Sequence, residues 1–156
     1  MQELNVRIVR LEPLRVASAL GFGPSPESLA WEKVLAWAAQ NSVLGDAQAR
    51  WFGFNNPSPS AGSPNYGYEQ WVTVGPDAQA SGDVEIKQFG GGLYAVARCD
   101  LGHIGEVWRE LVAWRERSRY RPAHHQWLEE SVSPPQTTAA VGADYAQLDL
   151  YLPIAE

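Results

Sequence analysis

Hydrophobic and polar positions change period several times along this chain, and each change marks an element. Leu4, Val6 and Ile8 alternate with Asn5 and Arg7, which predicts a half-buried strand over residues 4–10. Pro13 interrupts as a turn or edge position, and residues 15–20 resume as a strand of small side chains. The glycines and prolines of residues 21–26 form a loop. The period then lengthens: Trp31, Val34, Leu35 and Ala38 keep helical spacing. Ser25 or Ser28 caps this helix, Pro26 fits its first turn and Glu27 its positive end. Trp37 falls about 120° around the helix from Trp31, so it is expected to flank the apolar stripe. Residues 41–45 end the helix, and residues 51–54 predict a short aromatic strand. Residues 55–65 are rich in Pro, Ser and Gly and read as a long loop, a kind that is often functional. Residues 66–74 predict a strong strand, with Tyr68, Gln70, Val72 and Val74 on one face and Glu69, Trp71 and Thr73 on the other.

The second half follows the same course. Residues 75–82 link the halves, Val84 and Ile86 alternate with Glu85 and Lys87, and Gly90 to Gly92 make a tight turn before a strand over residues 93–98. Ile104, Val107, Trp108, Leu111, Val112 and Trp114 give a second helix a broad apolar face, and Pro122 breaks the run. Residues 125–132 are a candidate strand with Trp127, Glu129 and Ser131 on one face. Residues 133–142 read as a polar loop, and residues 148–154 close the chain as a strand.

The halves echo one another. Trp31-Glu-Lys-Val-Leu-Ala-Trp37 matches Trp108-Arg-Glu-Leu-Val-Ala-Trp114 at an offset of 77 residues. At an offset of 78, Val6 and Ile8 fall on Val84 and Ile86, and Ala17 and Ala19 on Ala95 and Ala97. A tandem duplication follows, each unit holding two strands, a helix and two more strands. Repeat one covers about residues 4–75 and repeat two about residues 83–154, within one domain of 156 residues.

Composition narrows the function. The formal charge is −6, which disfavours direct contact with nucleic acid. The arginines at 115, 117, 119 and 121 read as a solvated helix end that complements the dipole. Acidic balance with seven Trp suits an aromatic-walled pocket for organic cations. No run of about 18 apolar residues is present to span a membrane. The first residues lack the pattern of a secretory signal, and the single Cys99 fits a reducing compartment, so a cytoplasmic protein is expected. Neither the Gly triplet nor the spacing of His103, His124 and His125 makes a phosphate loop or a metal site, so no cofactor and no metal are expected.

These residues together resemble the GyrI-like small-molecule-binding domains, which also serve as effector-binding halves of AraC- and MerR-type regulators. The likeness rests on Phe52-Gly-Phe54 before a Pro-rich loop and on Tyr68-Glu-Gln-Trp-Val-Thr-Val74. It rests further on Gly91-Gly-Leu-Tyr-Ala-Val96, the helix at Trp108 to Trp114, and the ending Asp149-Leu-Tyr-Leu-Pro-Ile154. The resemblance implies an α+β fold: a pseudo-twofold, eight-stranded antiparallel sheet with two helices and a ligand cleft near the axis. It implies an aromatic lining and a buried carboxylate in an apolar-Glu-x-Tyr pattern. Leu128-Glu-Glu-Ser131 matches best, which gives the role to Glu129, or to Glu130 in a register one residue different; Ser131 replaces the expected Tyr. No helix-turn-helix region precedes the repeat, so a stand-alone domain is expected.

The candidate ligand-binding residues are therefore Glu129 with Trp127, Glu69 with Trp71, and Phe54, Tyr68 and Trp37. A carboxylate between aromatic faces supplies charge, area and quadrupole to a lipophilic cation, as in multidrug binding. The competing reading is hydrolysis: the resemblance extends to members that open reactive cyclopropane compounds with cleft Glu and aromatic residues, and two acids in one cleft permit general-base work. A gyrase-inhibitor role is a third reading, with no partner protein identified by any residue pattern.

Overall fold

The computed structural model describes residues 4–56, 58–132 and 147–156. The elements are β1 (Arg7–Leu11), β2 (Leu14–Gly23), α1 (Pro26–Gln40), β3 (Trp51–Asn55), β4 (Tyr66–Thr73), β5 (Val84–Phe89), β6 (Gly92–Asp100), α2 (Ile104–Arg117), β7 (Arg121–Pro122), β8 (Leu128–Ser131) and β9 (Gln147–Ala155). A single 3-10 turn, Leu101–His103, leads into α2. The fold is α+β with antiparallel strands and two helices, as the resemblance implies. The loop expected over residues 133–142 lies outside the described residues.

The chain divides into two compact units. In the α1 unit, residues 14–89, the strands run β3-β4-β2-β5. Ala17 and Ala19 of β2 and Val72 of β4 turn toward α1 and form a core with Val34, Leu35, Trp37, Ala38 and Trp51. Trp31 stacks on Trp51 at 5.6 Å. Trp37 joins this core instead of flanking it, because the chain folds back over the helix end. Val43 donates its backbone N–H to Ala38, and Val43, Leu44, Val74 and Ala78 pack around the cluster. Ser25 holds the N-cap position without a side-chain hydrogen bond, and Pro26 opens the helix.

In the α2 unit the strands run β1-β6-β9-β8, and β7 pairs with β9. Ala95, Ala97 and Cys99 of β6 and Leu150, Leu152 and Ile154 of β9 face Leu111 of α2. Sequence periodicity places a strand over residues 125–132, but only β8 pairs. Before it His125 docks by its Nε2, 2.8 Å from the Leu93 carbonyl oxygen, with its ring edge-on to Tyr94. β7 was not foreseen, since a Pro-containing pair has no period to read.

Ladder pairing crosses the sequence repeats. β1, which opens repeat one, pairs with β6, and β5, which opens repeat two, pairs with β2. Each unit thus takes an edge strand from the other half of the sequence. Among the described residues no helix is long and apolar enough to cross a membrane.

Candidate ligand-binding faces

Strand parity sorts the side chains of each unit onto two faces. In the α1 unit, Ala17 opposite Val72 marks the helix side, so Ser18 opposite Trp71 lies on the other. Glu69 is on that helix-free side and is only 3% exposed. It accepts hydrogen bonds from Ser18 Oγ at 2.8 Å, Trp71 Nε1 at 2.6 Å, Lys87 Nζ at 3.0 Å and Asn56 Nδ2 at 3.1 Å. Burial pushes its pKa up, but the donors from Trp71, Ser18, Lys87 and Asn56 outweigh that and hold it below the ordinary carboxylate value. Trp71 meets Phe54 edge-to-face at 5.0 Å and Phe89 at 5.3 Å. Glu69, Trp71 and Phe54 are therefore brought together. Tyr68 is not with them: it lies on the α1 side, over Gly53. Trp37 is also on the α1 side, where it borders an open depression of ≈ 550 Å³ with Asn41, Val43 and residues 74–79.

In the α2 unit, Glu129 pairs across the ladder with Leu150 and so lies on the α2 side, half-buried. There Trp127 rests against Trp108 at 5.2 Å. Cys99 shares this side, and its thiol is pushed up to about 11 by burial first and then by the charges of Glu129, Asp100 and Asp149. Glu130 pairs with Asp149 and lies on the opposite, helix-free side. The Tyr151 hydroxyl donates to Glu130 Oε1 at 2.6 Å, and Tyr151 meets Tyr94 edge-to-face at 5.3 Å. The Tyr94 hydroxyl in turn donates to the Gln126 carbonyl oxygen at 2.5 Å.

The same helix-free side holds an ion cluster that periodicity did not reveal. Asp149 accepts from Arg98 Nε at 3.0 Å and pairs with Arg7 at 2.9 Å. Burial raises its pKa, and the hydrogen bonds and charges of Arg98 and Arg7 bring it below the ordinary value. Ala17 pairs with Val72 and Ala95 with Leu152, so the counterpart of Glu69 in the second repeat is Asp149, not Glu129. Each is a buried acid answered by an edge-strand cation, Lys87 from β5 or Arg7 from β1. The visible signal was an acid inside an otherwise apolar strand, which burial tolerates only with a partner. Among the described residues no group of three or more His, Cys, Asp or Glu is placed to hold a metal ion.

A family model for Cass2, the integron-associated effector binding proteins, matches residues 7–154. The chain belongs to this family. No curated protein matches it. Among solved structures, the EcmrR C-terminal domain aligns with this Cass2 chain over 99% of both chains, at a TM-score of 0.71 and 10% identity. In the EcmrR–DNA complex the Cass2 chain spans 57% of the EcmrR chain, at a TM-score of 0.70 and 10% identity over 97% of its own length. A hydrolase from Listeria innocua gives 0.67 at 10% identity, over 99% of this chain and 94% of that one. SAV2435 bound to tetraphenylphosphonium gives 0.57 at 10% identity, over 97% and 94%. Such identities carry the fold alone. The family match makes the Cass2 chain an effector-binding domain for small molecules and upholds its GyrI-like resemblance.

Proposed function

We propose that this Cass2 protein binds an aromatic, lipophilic cation on the helix-free side of its α2 unit, sensing or sequestering it, with Glu130 as counter-ion. The observation that carries this reading is the Tyr151–Glu130 hydrogen bond beside the edge-to-face Tyr94–Tyr151 pair. A carboxylate oriented by a phenol of a buried aromatic pair supplies the charge, and the rings behind it an apolar wall, for such a ligand. Glu69 is buried and holds Lys87 and three neutral donors, while Glu130 is half-buried and lies within reach of the Arg98 charge. Glu129, the residue favoured by the family pattern, is on the α2 side and stands as the rival within the same strand. SAV2435 with its phosphonium ligand supports the cation class by analogy of fold.

For Glu69, one of the two acids of the hydrolysis reading, a general-base role is poorly supported. A general base near neutral pH needs a raised carboxylate pKa, whereas the buried Glu69 and Asp149 are both lowered.

Titration calorimetry with tetraphenylphosphonium and with a neutral aromatic of similar size tests the proposal. Saturable binding is expected, tighter for the cation. Glu130→Gln should weaken the cation about tenfold or more, since a charged hydrogen-bonding group is lost, and leave the neutral compound nearly unchanged. Loss confined to Glu129→Gln would move the site to the α2 side. A cyclopropane-containing electrophile recovered with the mass of added water would make the protein a hydrolase instead.

A further inference from the structure

α2 exposes more apolar surface than its core contacts use. Of its residues only Leu111 is fully buried. Trp108, Val112 and Ala113 are half-buried and line an open groove with Arg109 and Glu116, which are exposed. Trp127, packed on Trp108, extends this apolar rim and is 41% exposed. Among the described residues neither Arg109 nor Glu116 has an ion-pair partner within the chain.

The order of charges in this groove is self-complementary. Arg109 and Glu116 are seven residues apart, so they lie within about 20° of one line along the helix. The midpoint of that line falls between Val112 and Ala113. A two-fold axis through the midpoint, normal to a pair of antiparallel helices, brings Arg109 of each copy opposite Glu116 of the other. The same operation sets Val112 against its own equivalent on one side of the seam and Ala113 against its equivalent on the other. The small Ala113 permits close approach of the helices. A parallel pairing would instead set Arg109 on Arg109 and Glu116 on Glu116, so the charges select one orientation.

We propose that a second copy of this chain docks on this groove, α2 antiparallel to α2, closed by reciprocal Arg109–Glu116 ion pairs. The contact is isologous, so it ends at a dimer. A seam of one helix pair is small by the standards of stable interfaces, so the dimer is reversible and weakens with salt.

Sedimentation velocity over a range of concentrations reads it directly and needs no ligand. The unmodified chain should shift from monomer to dimer. Arg109→Glu or Glu116→Arg alone replaces two attractions with two repulsions by symmetry and should raise the dissociation constant about tenfold or more. Arg109→Glu with Glu116→Arg in one chain restores opposite charges and should restore the dimer. Both positions are exposed, and circular dichroism confirms that each variant is folded. A chain that is monomeric at its highest soluble concentration would overturn the proposal, and so would single reversals that dimerise normally. A double reversal that is folded but fails to recover would overturn it equally.

Discussion

Glu69 concentrates the chemistry of the α1 unit on one carboxylate. A buried acid without partners would be protonated, since burial favours the neutral form. Here hydrogen bonds from Trp71, Ser18, Lys87 and Asn56 reverse that tendency and lower the pKa. The sign of the pH effect follows. A carboxyl whose folded pKa is depressed contributes stability above its unfolded value, about 4.3, and loses it as pH falls through the folded value. The stabilisation should therefore be complete at neutral pH and disappear in acid. Glu69→Gln keeps the shape but removes the charge facing Lys87, and is expected to destabilise the protein by about 2–3 kcal/mol at pH 7. Urea unfolding measures this, and the gap between the two proteins should narrow as pH falls below about 4. A constant gap across that range would assign the loss to packing rather than to charge.

At the level of elements, β3 and β4 show how one glycine divides two faces. Trp51 and Gly53 alternate with Phe52 and Phe54 along β3. Gly53 pairs with Gln70 on the α1 side, where the Tyr68 ring crosses it. A Cβ at Gly53 would collide with the Tyr68 hydroxyl and stand 2.7 Å from Gln70 Oε1. Gly53→Ala should thus cost about 1–3 kcal/mol by overpacking, with a changed near-UV signal as Tyr68 is displaced. An unchanged midpoint of unfolding would mean that Tyr68 moves freely. The two helices and the strands β2, β4, β6 and β9 were legible because their apolar periods are long and unbroken. The Trp71–Glu69 pairing and the Trp127–Glu129 side were legible from parity alone. Trp37 was misread because helical geometry fixes an angle but not what folds over it, here Val43, Leu44 and Val74. Lys87 and Arg7 went unnoticed as partners because they reach Glu69 and Asp149 across ladders, from positions that a reading along the chain treats as exposed alternations. Glu129 and Glu130 differ by one place, and only the pairing of Leu150 and Asp149 decides which faces α2.

For the molecule as a whole, the unit of sequence and the unit of structure are offset by one strand. The duplication is read along the chain, yet β1 and β5 are each hydrogen-bonded into the unit centred on the other repeat's helix. Such pairings are remote in sequence, so local patterns cannot announce them, and they slow folding by their loop-closure cost. The offset has an energetic consequence. A fragment of residues 4–75, the sequence repeat, lacks Val84 of the α1 core, lacks Phe89 against Trp71 and leaves Glu69 without Lys87. It also carries β1 without its partner, β6. A fragment of residues 14–89 retains all three contacts and the full β3-β4-β2-β5 order. The second fragment should therefore unfold cooperatively in urea with a native-like near-UV spectrum, while the first should show a weaker and broader transition. Addition of a peptide covering residues 84–89 should partly recover the first, because it returns both the ladder of β2 and the ammonium for Glu69. Equal stability of the two fragments would mean that the exchanged edge strand contributes nothing, and that the sequence repeat is itself the folding unit.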